Sequence, residues 1–248
     1  MAYLNSVYIL AGASASLLFF LLIATPMFFF AEPPPGFLYS LALTAVLGAA
    51  TSALALPFGL ASAMAARRRG GWEAAAMLMY LPAVIPPTSV GVLLLATFNL
   101  PRLLCQGGAS YLCGLSDIIT NYVVNNVAGI FIAMYVMALP VAFSIYDGAL
   151  REERAEAFFR SLGFGGLKLL ILTAASLRTA TLSAFIFSWI RSFGELGVLL
   201  VFASYPPTTA IYIYNTWLTY GVPPAVGASI VLMTIGVAAA YLLRRWSS

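Results

Sequence analysis

The feature that most confines this chain is a succession of long, nearly uncharged apolar runs. Six are long enough to cross a bilayer, at about residues 7–30, 37–65, 74–98, 127–145, 177–202 and 225–243. A helix needs roughly 20 mostly apolar residues to span the hydrocarbon. Within lipid, every backbone N–H and C=O must be satisfied inside the protein, which leaves helices and closed barrels. Barrel strands alternate lipid-facing and lumen-facing residues, and these unbroken runs do not. Charged residues make up 8% of the chain, against about 25% in soluble domains. The sequence therefore predicts an all-α membrane protein, a bundle of six transmembrane helices.

Orientation follows from lysine and arginine, which concentrate in cytoplasmic loops. Arg67, Arg68, Arg69, Arg151, Arg154, Arg160, Lys168, Arg178, Arg244 and Arg245 fall on one side, Arg102 on the other, and Arg191 within the fifth run. Both termini are then expected in the cytoplasm. The formal net charge of +4 describes the inner face of a membrane protein and calls for no nucleic acid. The first run has no basic start and is longer than the usual signal-peptide core, so it is expected to be a retained helix. The loops leave no room for a soluble domain, and residues 1–248 are read as one membrane domain with an external loop at about 99–126 and a cytoplasmic loop at about 148–176.

Several chemistries are disfavoured. With no histidine anywhere, Ser-His and Cys-His nucleophile pairs are absent, and no metal or other cofactor is expected. Cys105 and Cys113 share the external loop, where an oxidising exterior permits a disulfide; two free thiols packed against helix ends are the alternative. GFGGLKLL at 163–170 lacks the spacing and hydroxyl of a phosphate-binding loop. Any ATP hydrolysis is thus expected in another chain, and this one is not expected to be an enzyme.

Charge is concentrated in EERAEAFFRSLGFGGLKLL at 152–170, which holds six of the 20 charged residues, with Arg151 just before it. In REERAEAFFRSL, residues Ala155, Phe158, Phe159 and Leu162 recur at i, i+3, i+4 and i+7, an apolar stripe beside charged flanks. Gly163 follows as a helix stop. An amphipathic helix of this kind either lies on the membrane interface or offers its aromatic face to a groove on a partner.

The same segment resembles the cytoplasmic loop of ABC importer permeases, whose motif is of the form E-A-A-x3-G. Aligned on Gly163, Glu156 takes the place of a preceding acid, Ala157 that of the motif Glu, and Phe158 and Phe159 those of the two alanines; Ser176 stands where the family usually has Pro. Further matches follow the same order along the chain. LPAVIPPTSVG at 81–91 is similar to the L-P-x-V-x-P-P-x-x-x-G signature of molybdate, tungstate and sulfate permeases. MALPVAFSIYDGAL at 137–150 resembles their apolar-Pro stretch, and WIRSFGELGVLLVFAS at 189–204 their R-x-x-G-E-x-G segment. PPTTAIYIYNTW at 206–217 is similar to T-x-x-x-A-I-Y, with Pro206 in place of the leading Thr.

The resemblance implies a type I importer permease for a tetrahedral oxyanion, tungstate or molybdate, with sulfate next and another small solute such as a polyamine, sugar or iron as the alternative. It further implies a second permease copy, cytoplasmic ABC ATPase subunits and an extracellular oxyanion-binding protein, in a cell membrane. Arg154, Glu156, Ala157, Phe158, Phe159, Arg160, Leu162 and Gly163 would form the ATPase-coupling surface. Pro86, Pro87, Arg191, Gly194, Glu195 and Gly197 would belong to the translocation pathway or gate. By their own chemistry these residues allow a plainer reading: Arg191 and Glu195, at i and i+4, can neutralise each other as a structural pair, and Pro86 and Pro87 can form a fixed kink. Small residues such as Gly48 and Ser52, or Gly227 and Gly236, permit close helix approach. A membrane scaffold or an embedded enzyme are the readings from other classes.

Overall fold

The computed structural model describes residues 31–67, 72–107 and 110–247, with residues 10, 12–14, 16–18, 20, 21, 24, 26 and 28 before them; the first predicted run lies largely outside the described residues. All regular structure among the described residues is helical. The helices are α1 (Phe37–Ala66), α2 (Trp72–Val84), α3 (Pro87–Gln106), α4 (Cys113–Tyr122), α5 (Val127–Glu152), α6 (Ala155–Ser161), α7 (Gly166–Ser176), α8 (Arg178–Phe193), α9 (Gly197–Phe202), α10 (Thr209–Tyr220) and α11 (Val222–Ser247).

Four of these, α1, α3, α5 and α11, are long and apolar enough to cross a membrane, and α7 with α8 would make a fifth if a pair bent by 87° counts as one span. Two predicted spans are broken. The third, at 74–98, divides into α2 and α3 at Pro86, since neither Pro86 nor Pro87 can donate to the helical ladder. Pro87 opens α3, where no intrahelical donor is needed. The fifth, at 177–202, divides into α8 and α9 at residues 194–196. The predicted external loop is mostly helix: α3 continues through Pro101 to Gln106, and α4 follows a short 3₁₀ turn at Ser110–Leu112. Cys105 and Cys113 are joined by a disulfide with Cα atoms 5.1 Å apart, tying the end of α3 to the start of α4.

Helix α5 is the axis of the packing: half of its most apolar stretch is buried within the chain, against 11% for α3 and 17% for α11, whose surfaces are left for other neighbours. Small and hydroxyl residues bring α1 against this axis and against α8. A Cβ on Gly59 would stand 2.9 Å from Ala142 Cβ, and one on Gly48 would stand 3.0 Å from Ser192 Cβ, so only glycine allows those separations. Polar links reinforce the contacts: Trp189 Nε1 donates to the Ala45 carbonyl (3.0 Å), Ser188 Oγ to the Ala138 carbonyl (3.2 Å), and the Thr209 N–H to Thr44 Oγ1 (2.8 Å). Two apolar cores result. One holds Leu60, Met64, Phe143, Tyr146, Leu150 and Leu177; the other holds Val90, Ile130, Met134, Val198, Leu199 and Phe202.

Candidate functional site

Two of the segments singled out in the sequence are brought together by the fold. The Pro86–Pro87 corner between α2 and α3 lies directly against the break between α8 and α9. A Cβ on Gly197 would stand 2.8 Å from Pro87 Cβ and 3.1 Å from Thr88 N, and one on Gly91 would stand 2.9 Å from the Val198 carbonyl oxygen. Glycine at both positions is therefore a condition of the contact. Pro86 and Pro87 are themselves exposed.

The break carries the charge pair. Arg191 Nη1 lies 2.6 Å from Glu195 Oε2; the contact is a charge pair rather than an aligned hydrogen bond, because Oε2 has no hydrogen-bond partner of acceptable geometry. Glu195 Oε1 accepts from the Val198 N–H at 3.3 Å and so satisfies a free donor at the start of α9. The two side chains are unequal in exposure, 35% for Arg191 and 1% for Glu195. The carboxylate is thus fixed inside the turn, and the guanidinium stays partly exposed.

The aromatic segment differs in detail from its sequence reading. Arg151 and Glu152 belong to the end of α5, and the amphipathic helix is only α6. Its stop is as expected: Gly163 has φ +84° and its N–H donates to the Arg160 carbonyl at 3.0 Å. Arg160 pairs with Glu156 along the helix. The two phenylalanines part company. Phe159 turns inward against the Phe143–Tyr146 core and meets Phe164 edge-on, whereas Phe158, Leu162 and Leu167 stay 59%, 58% and 71% exposed. Ala157 and Arg154 are exposed beside them. The exposed apolar side chains of this segment are thus Phe158, Leu162, Leu167 and Ile171, with Phe164 partly exposed beside them and Phe159 turned inward.

One acidic residue outside these segments is also placed at the site's edge. Asp147 is buried near the end of α5 and accepts from Arg151 Nη2 at 2.7 Å and Nε at 3.2 Å. Its signal was available as a lone carboxylate within an apolar run, four residues before an arginine. Asp147 lines a cavity of about 500 Å³ with Tyr80, Phe143, Arg67 and Arg151.

No family model matches the chain. Whole-chain comparison nevertheless finds molybdate/tungstate transport system permease proteins. The chain is 28% identical over 172 residues to the one from Pyrococcus furiosus, covering 68% of this chain and 60% of that protein. It is 27% identical to the Pyrococcus abyssi protein and 26% identical to the Thermococcus kodakarensis protein, each over 202 residues, 79% of this chain and 73% of the relative. The chain is similar to transport permeases over most of its length, and its apolar helices make it a multi-pass membrane protein.

Proposed function

We propose that this chain is the permease subunit of an ATP-driven importer for a tetrahedral oxyanion, tungstate or molybdate. The observation that carries the reading is the similarity to permeases named for those anions, extending over 79% of the chain. In this reading residues 1–248 form one permease domain of six spans, with the Arg67 and Arg151 end and both termini in the cytoplasm. Two copies pair about a translocation pathway. An extracellular binding protein delivers the anion, and ATP is hydrolysed by separate ABC ATPase subunits.

Particular contacts support particular parts of it. Phe158, Leu162 and Leu167 form an exposed apolar patch flanked by Arg154, Glu156 and Arg160, the arrangement of an apolar centre and polar rim that suits docking to another protein. Arg191 is half-buried beside a break in two helices; ionisable groups at membrane depth face protein or water. Pro86, Pro87, Gly194, Glu195 and Gly197 would act as the gate because two broken helices meet there.

The test is oxyanion-dependent ATP hydrolysis by this chain reconstituted in proteoliposomes with an ABC ATPase and binding protein encoded beside it. Stimulation by tungstate or molybdate at equal concentration above sulfate is the expected result. A complex that hydrolyses ATP and ignores all three anions would overturn the oxyanion assignment.

A further inference from the structure

Three cavities on one face of the chain share lining residues, and arginines stand at both ends of the series. The first, about 670 Å³, is lined by Arg67, Arg151, Arg154 and Arg160 together with Glu153 and Glu156. The second, about 500 Å³, shares Arg67 and Arg151 with it and adds Asp147 and Tyr80. The third, about 450 Å³, shares Tyr80 with the second and reaches Arg191 past a mainly apolar lining of Ala83, Pro140, Val141, Ile145 and Phe187, with Ser144 as the other polar group. Pro140 lies midway along the 26-residue α5, so the series runs from the middle of the span to its arginine-rich end.

The charges along it are unequally matched. Arg151 is held by Asp147, Arg160 by Glu156 and Arg191 by Glu195. Arg67 and Arg154 have no carboxylate partner among the described residues, while Glu153 alone is an unpaired acid there, so the excess is positive and lies at the Arg67 end. This face does not suit acyl chains: a guanidinium 35% exposed at mid-span is costly against hydrocarbon, which leaves water or protein beside it. A route for a dianion needs sites strong enough to draw it out of water and weak enough to release it. Arg67 supplies the first property. Arg151, its charge partly answered by Asp147, supplies the second.

We propose that these cavities form the inner part of the anion route, along which a dianion leaving Arg191 passes Tyr80 and is received by Arg67 and Arg151. Asp147 is a positioning residue that fixes Arg151 and limits how tightly it holds the anion. The inference rests on the oxyanion-permease reading and adds to it the residues that receive the cargo after the gate.

The test compares radiolabelled tungstate uptake by the reconstituted complex for wild type, Arg67→Gln, Arg67→Lys, and the charge-removed pair Asp147→Asn with Arg151→Gln. Arg67 has no carboxylate partner to strand among the described residues, and the paired change leaves no buried charge alone, so each variant is expected to assemble with the ATPase in wild-type yield. Uptake per assembled complex should fall about tenfold in Arg67→Gln and in the paired variant, stay within about twofold of wild type in Arg67→Lys, and lose part of its dependence on ionic strength wherever the charge is gone. Wild-type uptake in Arg67→Gln, or an equal loss in Arg67→Lys, would overturn the proposal while leaving the permease reading intact. A wild-type complex that moves no oxyanion would overturn both.

Discussion

Gly197 and Pro87 touch so closely that any side chain on the glycine would meet the proline ring: a Cβ there would lie 2.8 Å from Pro87 Cβ. The contact joins two helix breaks that lie over a hundred residues apart in the chain. Gly197→Ala should therefore push the α8–α9 turn off the Pro86–Pro87 corner. Overpacking of this kind costs about 1 to 3 kcal/mol, read as a lower midpoint of thermal unfolding in detergent. Gly114→Ala, where an added Cβ meets nothing within 4 Å, is the control. Equal midpoints for the two variants would show that the corner yields without cost.

The Arg191–Glu195 pair is asymmetric, and its mutants should be too. Arg191→Gln leaves the Glu195 carboxylate at 1% exposure with no counter-charge, which is the expensive case, on the order of 3 kcal/mol. Glu195→Gln leaves an arginine that is 35% exposed and can recover water, so it costs less. Replacing both together should restore part of the loss in a double-mutant cycle. Additive losses, with no recovery in the double variant, would mean that the two side chains are not coupled.

Phe158 and Phe159 adjoin in sequence, with ring centroids 5.5 Å apart, yet they face different neighbours. Phe158→Ala should leave thermal stability nearly unchanged and weaken recovery of the ATPase subunit by about 30-fold in affinity, corresponding to about 2 kcal/mol for a lost aromatic anchor. Phe159→Ala, which removes packing against the core, should lower the unfolding midpoint as its first effect. Unchanged ATPase binding by Phe158→Ala would remove α6 from the docking surface.

The spans at 37–65, 127–145 and 225–243 were readable from the sequence, because burial in lipid acts on every residue of a run. The break at Pro86 was readable too, since proline announces its missing donor. The break at 194–196 was not. No proline marks it; Glu195 accepting from Val198 N–H is a local contact three residues apart, but the fit of Gly197 against Pro87 exists only once the two breaks are side by side. The apolar period identified a stripe on α6 but not which of its phenylalanines would be covered, because α7 folds back to cover one side. Pro101 and the polar residues around it read as a loop, yet α3 passes through Pro101 unbroken. The pairing of Asp147 with Arg151 is legible from their i, i+4 spacing, whereas the cavity that Asp147 shares with Tyr80 and Arg67 depends on other segments of the chain.

The bend between α7 and α8 stands at Leu177, next to Ser176, where the resembled motif usually has proline. An 87° turn interrupts the helical ladder and leaves carbonyls at the end of α7 without intrahelical donors. The chain answers with a hydroxyl relay: Thr181 Oγ1 donates to the Ala174 carbonyl at 3.2 Å, and Tyr146 Oη donates to Thr181 Oγ1 at 3.1 Å. Tyr146 is buried, 1% exposed, so its hydroxyl has no water to turn to. Thr181→Val keeps the shape and removes both links, leaving a buried hydroxyl and a carbonyl without their partner; about 1 to 3 kcal/mol is the cost of each such group. Tyr146→Phe removes only the outer link and leaves the Ala174 bond in place, so it should cost less, on the order of 1 kcal/mol. Unfolding midpoints in that order, Thr181→Val below Tyr146→Phe below wild type, would show that side-chain hydroxyls hold a bend made elsewhere by proline. The reverse order would place the support in the Tyr146 ring packing instead.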